Sequence, residues 1–335
     1  MRLKPRELTV PATICCVALL VAACAPAGLS PSDPPLSDPS DLRAVTLASG
    51  ERLRVVATTS ILADVVAQVG DDRIEIRQLI PLGVDPHAFE PTPQDVRALA
   101  EADLVFVNGF GLEAFMADLI RQAGSGTPVI SVSQGITPLP FESEEHDGRE
   151  EAEGAHAEHG VDPHTWLDPN NVVHWTDNIE ASLRAVDPAH AEVYAARANV
   201  YRAELTALDS EIREAVSRIP PEDRKLVTDH DELGYLADEY GFTVIGTVIP
   251  GASSLAEPSA AQLAALLDQV RQQRVPSVFV SSVVNPSLVD TFAEDAGIRL
   301  ATLYAHSLTP PEGPASSYLE LMRYNAETIA AALTP

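Results

Sequence analysis

Eight short apolar runs, most of them rich in β-branched residues and separated by helical patterns, constrain the fold of this chain more than any other feature. They form two sets of four: 52–60, 73–81, 103–109 and 127–133, then 225–230, 242–249, 277–282 and 299–305. Short apolar runs of this kind predict buried strands, and strands that alternate with helices form parallel sheets. The sequence therefore predicts an α/β fold with two Rossmann-like lobes.

A single long helical pattern separates the two sets of strands. Pro188 suits the first turn of a helix, Pro220 ends the pattern, and apolar residues recur between them at helical spacing. We expect one rigid helix of about 30 residues, roughly 45 Å long, that joins the lobes. The expected organisation is an N-terminal lobe at 52–186, a linking helix at 187–220 and a C-terminal lobe at 221–335.

The N-terminus has the pattern of an export signal. Three basic residues precede an apolar run from Val10 to Ala23, which is too short for a bilayer that needs about 20 apolar residues. Residues 1–23 are therefore predicted to be a signal peptide. Cys24 follows small residues in a segment that resembles a bacterial lipobox, so we expect a lipidated Cys24; an incidental cysteine is the alternative. Residues 24–51 are rich in Pro, Ser and Asp and predict a flexible tether.

Cysteine usage and charge restrict the chemistry of the mature chain. All three cysteines lie within residues 1–24, so a metal site must be built from histidine and carboxylate. Without residues 1–23, which carry three basic residues and one acidic residue, 19 basic and 48 acidic residues remain, a net charge near −29. A chain of this charge repels nucleic acid and anionic membrane surfaces and favours cationic ligands.

Four histidines lie where strands of the two predicted sheets end. His87 and His164 occur in two copies of Val-Asp-Pro-His, in loops after the second and fourth runs. His230 ends the fifth run, and His306 follows the eighth. Ligands of open α/β sheets gather beyond the carboxyl ends of the strands. The four histidines therefore predict one site in the cleft between the lobes.

The chain resembles the zinc and manganese substrate-binding lipoproteins of ABC importers, solute-binding protein family 9, and in particular the zinc-uptake type. The resemblance rests on segments that occur in the family's order: GVDPHAFEPTPQD, VNGFGLE, DPHTWLDP, HDELGYLADEYGF, EPSAAQLAAL, SSVVNPSLVDTFAEDAG and SYLELMRYNAETI. It implies that His87, His164 and His230 bind the metal. Members with histidine at the third position resemble the zinc proteins, whereas manganese proteins usually carry glutamate there, in line with the preference of manganese for oxygen ligands.

The segment after the last predicted strand departs from the family's pattern. His306-Ser307-Leu308 stands where family members usually have Asp-Ser-Leu. Imidazole is also a zinc ligand, so His306 is the expected fourth ligand of a four-histidine site. If His306 turns away, water or Asp85 takes the fourth position.

Residues 142–160 form an acidic segment with three histidines, His146, His156 and His159. The segment lacks a periodic apolar pattern and is predicted to be a disordered loop. Zinc-specific members of the family have a similar insertion, which implies weak auxiliary zinc binding. A solvated acidic loop without a metal role is the alternative, and the sequence favours neither.

The expected function is that of a lipid-anchored, extracytoplasmic protein that captures Zn²⁺ as cargo and delivers it to an ABC permease and its ATPase. We expect a monomer without catalytic activity. A manganese or iron member of the same family is the first alternative. A zinc hydrolase with three histidines and an open fourth position is the second, but the chain has no HExxH helix, and Glu257 and Asp231 are weak candidates for its general base.

Overall fold

The computed structural model describes residues 36–116, 119, 126–140, 160–251 and 254–334. The predicted signal peptide, Cys24, most of the tether and the loop histidines His146, His156 and His159 lie outside these residues. Within the described ranges, no helix is long and apolar enough to cross a membrane.

Each of the eight predicted runs contains a strand, and the strands form two parallel sheets. The first sheet contains β1 (Leu53–Ala57), β2 (Ile74–Gln78), β3 (Leu104–Val107) and β4 (Val129–Ser131), in the order β2-β1-β3-β4. The second contains β5 (Lys225–Thr228), β6 (Thr243–Thr247), β7 (Ser277–Ser281) and β8 (Arg299–Leu303), in the order β6-β5-β7-β8. The two lobes thus share one topology, and each sheet aims its carboxyl ends at one edge.

The helices of the described residues include several that begin or end at a recognisable capping residue. They are α1 (Ser60–Gly70), α2 (Pro93–Glu101), α3 (Pro169–Val186), α4 (Ala191–Ser217), α5 (Gly234–Tyr240), α6 (Ala260–Gln273), α7 (Ser287–Ala296) and α8 (Tyr318–Leu333). The Thr59 side chain accepts the Leu62 N–H at the start of α1, and Ser259 caps α6 in the same way. Gly241 and Gly297 end α5 and α7 in the left-handed conformation.

Helix α4 is the predicted long helix and contacts both lobes. It has 27 residues, about 40 Å, and follows a 3₁₀ turn at Pro188–His190 that the sequence assigned to the helix itself. The helix packs against α1 and α3 on one side and against α8 of the second lobe on the other. One apolar core runs from Leu53 in β1 through Leu205 in α4 to Leu321 in α8. The lobes are therefore joined by a shared core as well as by a strut.

Candidate metal centre

The two Val-Asp-Pro-His segments fold into the same local turn. In the first, the Asp85 carboxylate accepts the backbone N–H of His87 at 2.9 Å. In the second, the Asp162 carboxylate accepts the backbone N–H of His164 at 2.8 Å. An aspartate that bonds the N–H two residues along closes such a turn, and the intervening proline restricts its backbone. The repeated tetrapeptide is thus a device that holds a histidine at the end of a loop.

The second lobe presents its histidines directly from strand ends. His230 follows β5 and is held by Asp229, whose carboxylate accepts the backbone N–H at 2.7 Å and lies 2.9 Å from Nδ1. His306 follows β8, and its Nδ1 lies 3.0 Å from the Ser281 hydroxyl at the end of β7. The Asp229 carboxylate also accepts the N–H of Ser281 at 2.8 Å. One carboxylate thus ties the ends of β5 and β7 together beneath the two rings.

The four imidazoles meet in the cleft between the lobes. Their ring centroids are 5.0 to 5.7 Å apart in every pairing. One nitrogen from each ring lies within 4.8 Å of one nitrogen from each of the others, and the Nε2 atoms of His87 and His164 are 3.2 Å apart. A tetrahedral ion with bonds of about 2.0 to 2.1 Å to nitrogen separates its ligands by about 3.4 Å. The cluster is therefore close to the size that one ion requires.

Burial keeps three of these imidazoles, those of His87, His164 and His306, in the neutral form that binds metals. His164, His230 and His306 are fully buried, while His87 lies at the partly exposed mouth of the cleft. Burial, with a contribution from the charge of His230, lowers the pKa of His87 to about 4. Burial and the neighbouring histidines also lower the pKa values of His164 and His306 well below 6.5. At neutral pH these rings are uncharged donors with free lone pairs.

In three of the rings one nitrogen, Nδ1, faces an oxygen atom at the edge of the cluster. We call it the outer nitrogen, and we call Nε2 the inner nitrogen. The Nδ1 atoms of His164, His230 and His306 face oxygen atoms of Asp162, Asp229 and Ser281. The Nε2 atoms of His230 and His306 are buried and have no hydrogen-bond partner in the described part of the chain. A buried nitrogen without a partner costs free energy, and a metal ion would remove that cost.

The predicted auxiliary ligand Asp85 lies beside this cluster. One of its oxygens accepts the His87 N–H, and the other accepts the hydroxyl of Ser254 from the opposite lobe. The groups of mutually close ligand atoms in the described residues contain His87, His164, His230 and His306 together but do not contain Asp85. In this conformation the aspartate serves as a turn residue and as a contact across the cleft mouth.

Comparison with known proteins identifies the family. The family model ZnuA, described as zinc-uptake complex component A, periplasmic, matches residues 55–332. The chain belongs to this family. It is therefore a member of the metal-binding substrate-binding proteins of ABC transporters.

Relatives and solved structures carry several metal names. The chain is 32% identical over 290 residues to the manganese-binding lipoprotein MntA of Halalkalibacterium halodurans, covering 86% of this chain and 91% of the relative. It is 33% identical over 293 residues to the manganese ABC transporter substrate-binding lipoprotein PsaA of Streptococcus mitis, covering 85% and 91%. The fold is similar to that of the periplasmic zinc binding protein TroA from Treponema pallidum, with a TM-score of 0.75, 27% identity and coverage of 85% and 100%. A cadmium-bound periplasmic metal binding protein from Candidatus Liberibacter asiaticus gives a TM-score of 0.73 at 25% identity, covering 84% and 100%.

The structure adds a residue that the sequence reasoning missed. Glu232 is fully buried, and its Oε2 lies 3.3 Å from Nδ1 of His306 and 3.9 Å from Nε2 of His230. Burial and the nearby Asp229 carboxylate raise the pKa of Glu232 well above 4.5. The available signal was an acidic residue two positions after a histidine at a strand end. Asp162 and Asp229 were missed in the same way, as partners of the outer nitrogens.

Proposed function

We propose that this chain captures Zn²⁺ outside the cytoplasmic membrane and delivers it to the permease and ATPase of an ABC importer. The observation that carries the proposal is the cluster of four imidazoles, two from each lobe, with no thiolate among the mature residues. His87, His164, His230 and His306 would be the four ligands. The ion is cargo, so a site shared between two lobes suits both its capture and its release.

The donor set supports zinc over manganese. Manganese is a serious alternative, because the names of the relatives MntA and PsaA include that metal. Imidazole nitrogen suits zinc and other late transition metals, whereas manganese prefers carboxylate and carbonyl oxygen. A cluster with four nitrogens and no carboxylate among its inner atoms is therefore a poor manganese site.

A binding role fits the cluster better than a hydrolytic one. Catalytic zinc sites keep a fourth position open for water, and here His306 faces that position. The relatives that carry function in their names are binding lipoproteins of transporters. Attachment to the bilayer through a lipidated Cys24 and a monomeric state complete the proposal.

Competition titration of the chain without residues 1–23 tests the choice of metal. We expect one tightly bound zinc ion per chain, and bound manganese that zinc displaces far more easily than manganese displaces zinc. Manganese binding tighter than zinc binding would replace this proposal with the manganese alternative.

Metal analysis of protein isolated from its native membrane provides a second test of the choice of metal. Copper binding in vitro would not decide the matter, because copper binds most nitrogen sites more tightly than zinc. We expect zinc in the isolated protein, and manganese or iron there would contradict the proposal.

A further inference from the structure

An all-histidine cluster leaves the charge of a bound dication without a charged ligand. Four neutral imidazoles would enclose two positive charges in a site where three of the four rings are fully buried. Burying a charge without a compensating charge is costly. The four inner nitrogens alone therefore leave the positive charge of the ion uncompensated.

Buried carboxylates beside the outer nitrogens of the rings can supply the missing negative charge. Asp162 lies 2.8 Å from Nδ1 of His164, and Asp229 lies 2.9 Å from Nδ1 of His230. A carboxylate at the outer nitrogen orients a ligating imidazole and makes it more basic. These two aspartates are neighbours of their histidines in sequence, so each pairing is local.

His306 has no such neighbour, and its carboxylate arrives from a different strand end. Glu232 lies in the loop after β5, where its N–H bonds the His230 carbonyl at 3.0 Å. Its oxygens accept no hydrogen bond from a donor in the described residues, although Oε2 is 3.3 Å from Nδ1 of His306. A fully buried carboxyl group that lies beside two histidines and the Asp229 carboxyl group needs an explanation.

The Ser281 hydroxyl alone does not determine which nitrogen of His306 carries the proton. A hydroxyl both donates and accepts, so its contact with Nδ1 is compatible with either tautomer. A bound dication would favour the ionised form of Glu232, which only accepts hydrogen bonds, so Glu232 beside Nδ1 would then select the form of His306 with the proton on Nδ1. That form leaves the Nε2 lone pair free to face the other three rings.

We propose that Glu232 is a positioning residue for the transported metal: when the ion binds, the carboxylate accepts the Nδ1–H of His306, directs Nε2 to the ion and supplies a compensating negative charge. This inference rests on the proposed function. It explains how histidine serves where the family usually has aspartate, because the negative charge has moved from the ligand to the residue behind it.

Two substitutions separate the charge of Glu232 from its capacity to accept a hydrogen bond. Glu232→Leu removes both, and we expect zinc affinity to fall about 10- to 100-fold, the usual effect of losing an outer partner. X-ray absorption of the zinc-loaded variant should show three nitrogen ligands instead of four. Glu232→Gln keeps an acceptor oxygen, so four nitrogens should remain while affinity falls about tenfold.

The His306→Asp background tests whether Glu232 acts through His306. If it does, Glu232→Leu in that background should change zinc affinity less than threefold, because the imidazole that it positions is gone. Asp187→Asn is the matched control, since Asp187 is a buried carboxylate that contacts a histidine, His190, at 2.7 Å outside the cluster. It should lower the melting temperature and leave zinc affinity and the nitrogen count unchanged.

Each outcome supports or overturns the inference. Wild-type affinity and four nitrogens in Glu232→Leu would overturn it, as would an equal loss of affinity in both backgrounds. An oxygen ligand that disappears in Glu232→Leu while four nitrogens stay would make Glu232 a direct ligand instead. If Glu232→Leu does not fold, unchanged zinc affinity in Glu232→Gln is the overturning result. A wild-type chain that binds no zinc would instead refute the proposed function.

Discussion

At the scale of single residues, the site is made by pairing each histidine with an oxygen behind it. The aspartates of the two Val-Asp-Pro-His turns hold His87 and His164 through backbone N–H groups, and Asp162 also contacts the ring of His164. Burial adds the second condition, because it keeps the rings of His87, His164 and His306 neutral. Residues close in sequence thus orient the first three histidines of the cluster in chain order, whereas residues from other strand ends contact His306.

His306 provides the most direct test of the four-histidine site. His306→Ala should weaken zinc binding. His87→Ala and His230→Ala should weaken it further, by more than the about 10- to 100-fold expected when a residue that only contacts a ligand is removed. His306→Asp should restore tight zinc binding and shift preference toward manganese, because one nitrogen has become oxygen. Competition titration with a zinc chelator and X-ray absorption measure both effects. If His306→Ala has unchanged zinc affinity and an unchanged ligand count, the ligands are three histidines together with water or Asp85.

The lowered pKa of His87 predicts how acid affects the metal-free protein. The unfolded chain binds a proton at this residue near pH 6.5, but the folded chain does so only at about pH 4. Between these values the unfolded state binds more protons, so stability should fall as the pH falls from 6.5 to 4. The single-site effect is on the order of 3 kcal/mol.

Urea unfolding of the wild type and of His87→Asn measures this effect as a difference. The raised pKa of Asp168, about 6 because of burial, acts in the opposite direction and cancels when the two proteins are subtracted. We expect the wild type to lose more stability than the variant over this pH range. Parallel pH profiles would show that His87 is not protonated differently in the two states.

At the scale of elements, the sequence predicted nearly everything that depends on apolar periodicity. All eight strands, the long helix and the strand-end positions of four histidines could be predicted, because burial patterns and strand ends are local signals. The short turn at Pro188–His190 could not, since proline suits the first turn of either helix type. Glu232 and Asp229 could not be assigned either, because their roles depend on which nitrogen of each ring faces inward. Their contacts join the ends of different strands of the second sheet, and the sequence pattern alone does not place those ends side by side.

Helix α4 should contribute to stability independently of the metal. Leu205 is fully buried in the shared core, whereas Val200 on the same helix is 54% exposed. Leu205→Ala should lower the free energy of unfolding by about 2 to 5 kcal/mol through lost burial and a cavity. Val200→Ala, the matched control, should change it by about 0.5 kcal/mol or less. Urea unfolding measures both, and equal effects would contradict the packing of α4 between the lobes.

The acidic segment gives a second prediction at this scale. Deleting residues 142–159 should leave one tight zinc site and remove only weaker additional binding, because the four clustered histidines lie elsewhere. Calorimetric zinc titration of the deleted and complete chains distinguishes the two classes of site. Loss of the tight site would mean that its ligands include His146, His156 or His159.

At the scale of the whole molecule, the lobes are held closed around the cluster by contacts at several depths. The Ser254 hydroxyl donates to Asp85 at the mouth, and the Gly83 N–H donates to the Ser307 hydroxyl at 2.8 Å. Between the lobes, the Tyr235 hydroxyl also accepts the Leu139 N–H at 3.1 Å. With α4 and the shared core, these contacts resist a wide hinge opening. We therefore expect release of the ion to break these small contacts and not to separate the lobes as independent bodies.

A ligand bound between two lobes stabilises both, which gives the final prediction. The chain from Arg52 to Pro335 should be monomeric in solution, and zinc should raise its melting temperature. At a free zinc concentration of 100 times Kd, the gain is about 2.7 kcal/mol, which corresponds to several degrees in a chain of this size. His174, which is exposed on α3 and outside the cluster, provides the control. His174→Ala should keep the full shift, while His87→Ala with His164→Ala should abolish it. Calorimetry and light scattering measure both properties. A melting temperature that excess zinc leaves unchanged would exclude a metal site that joins the lobes.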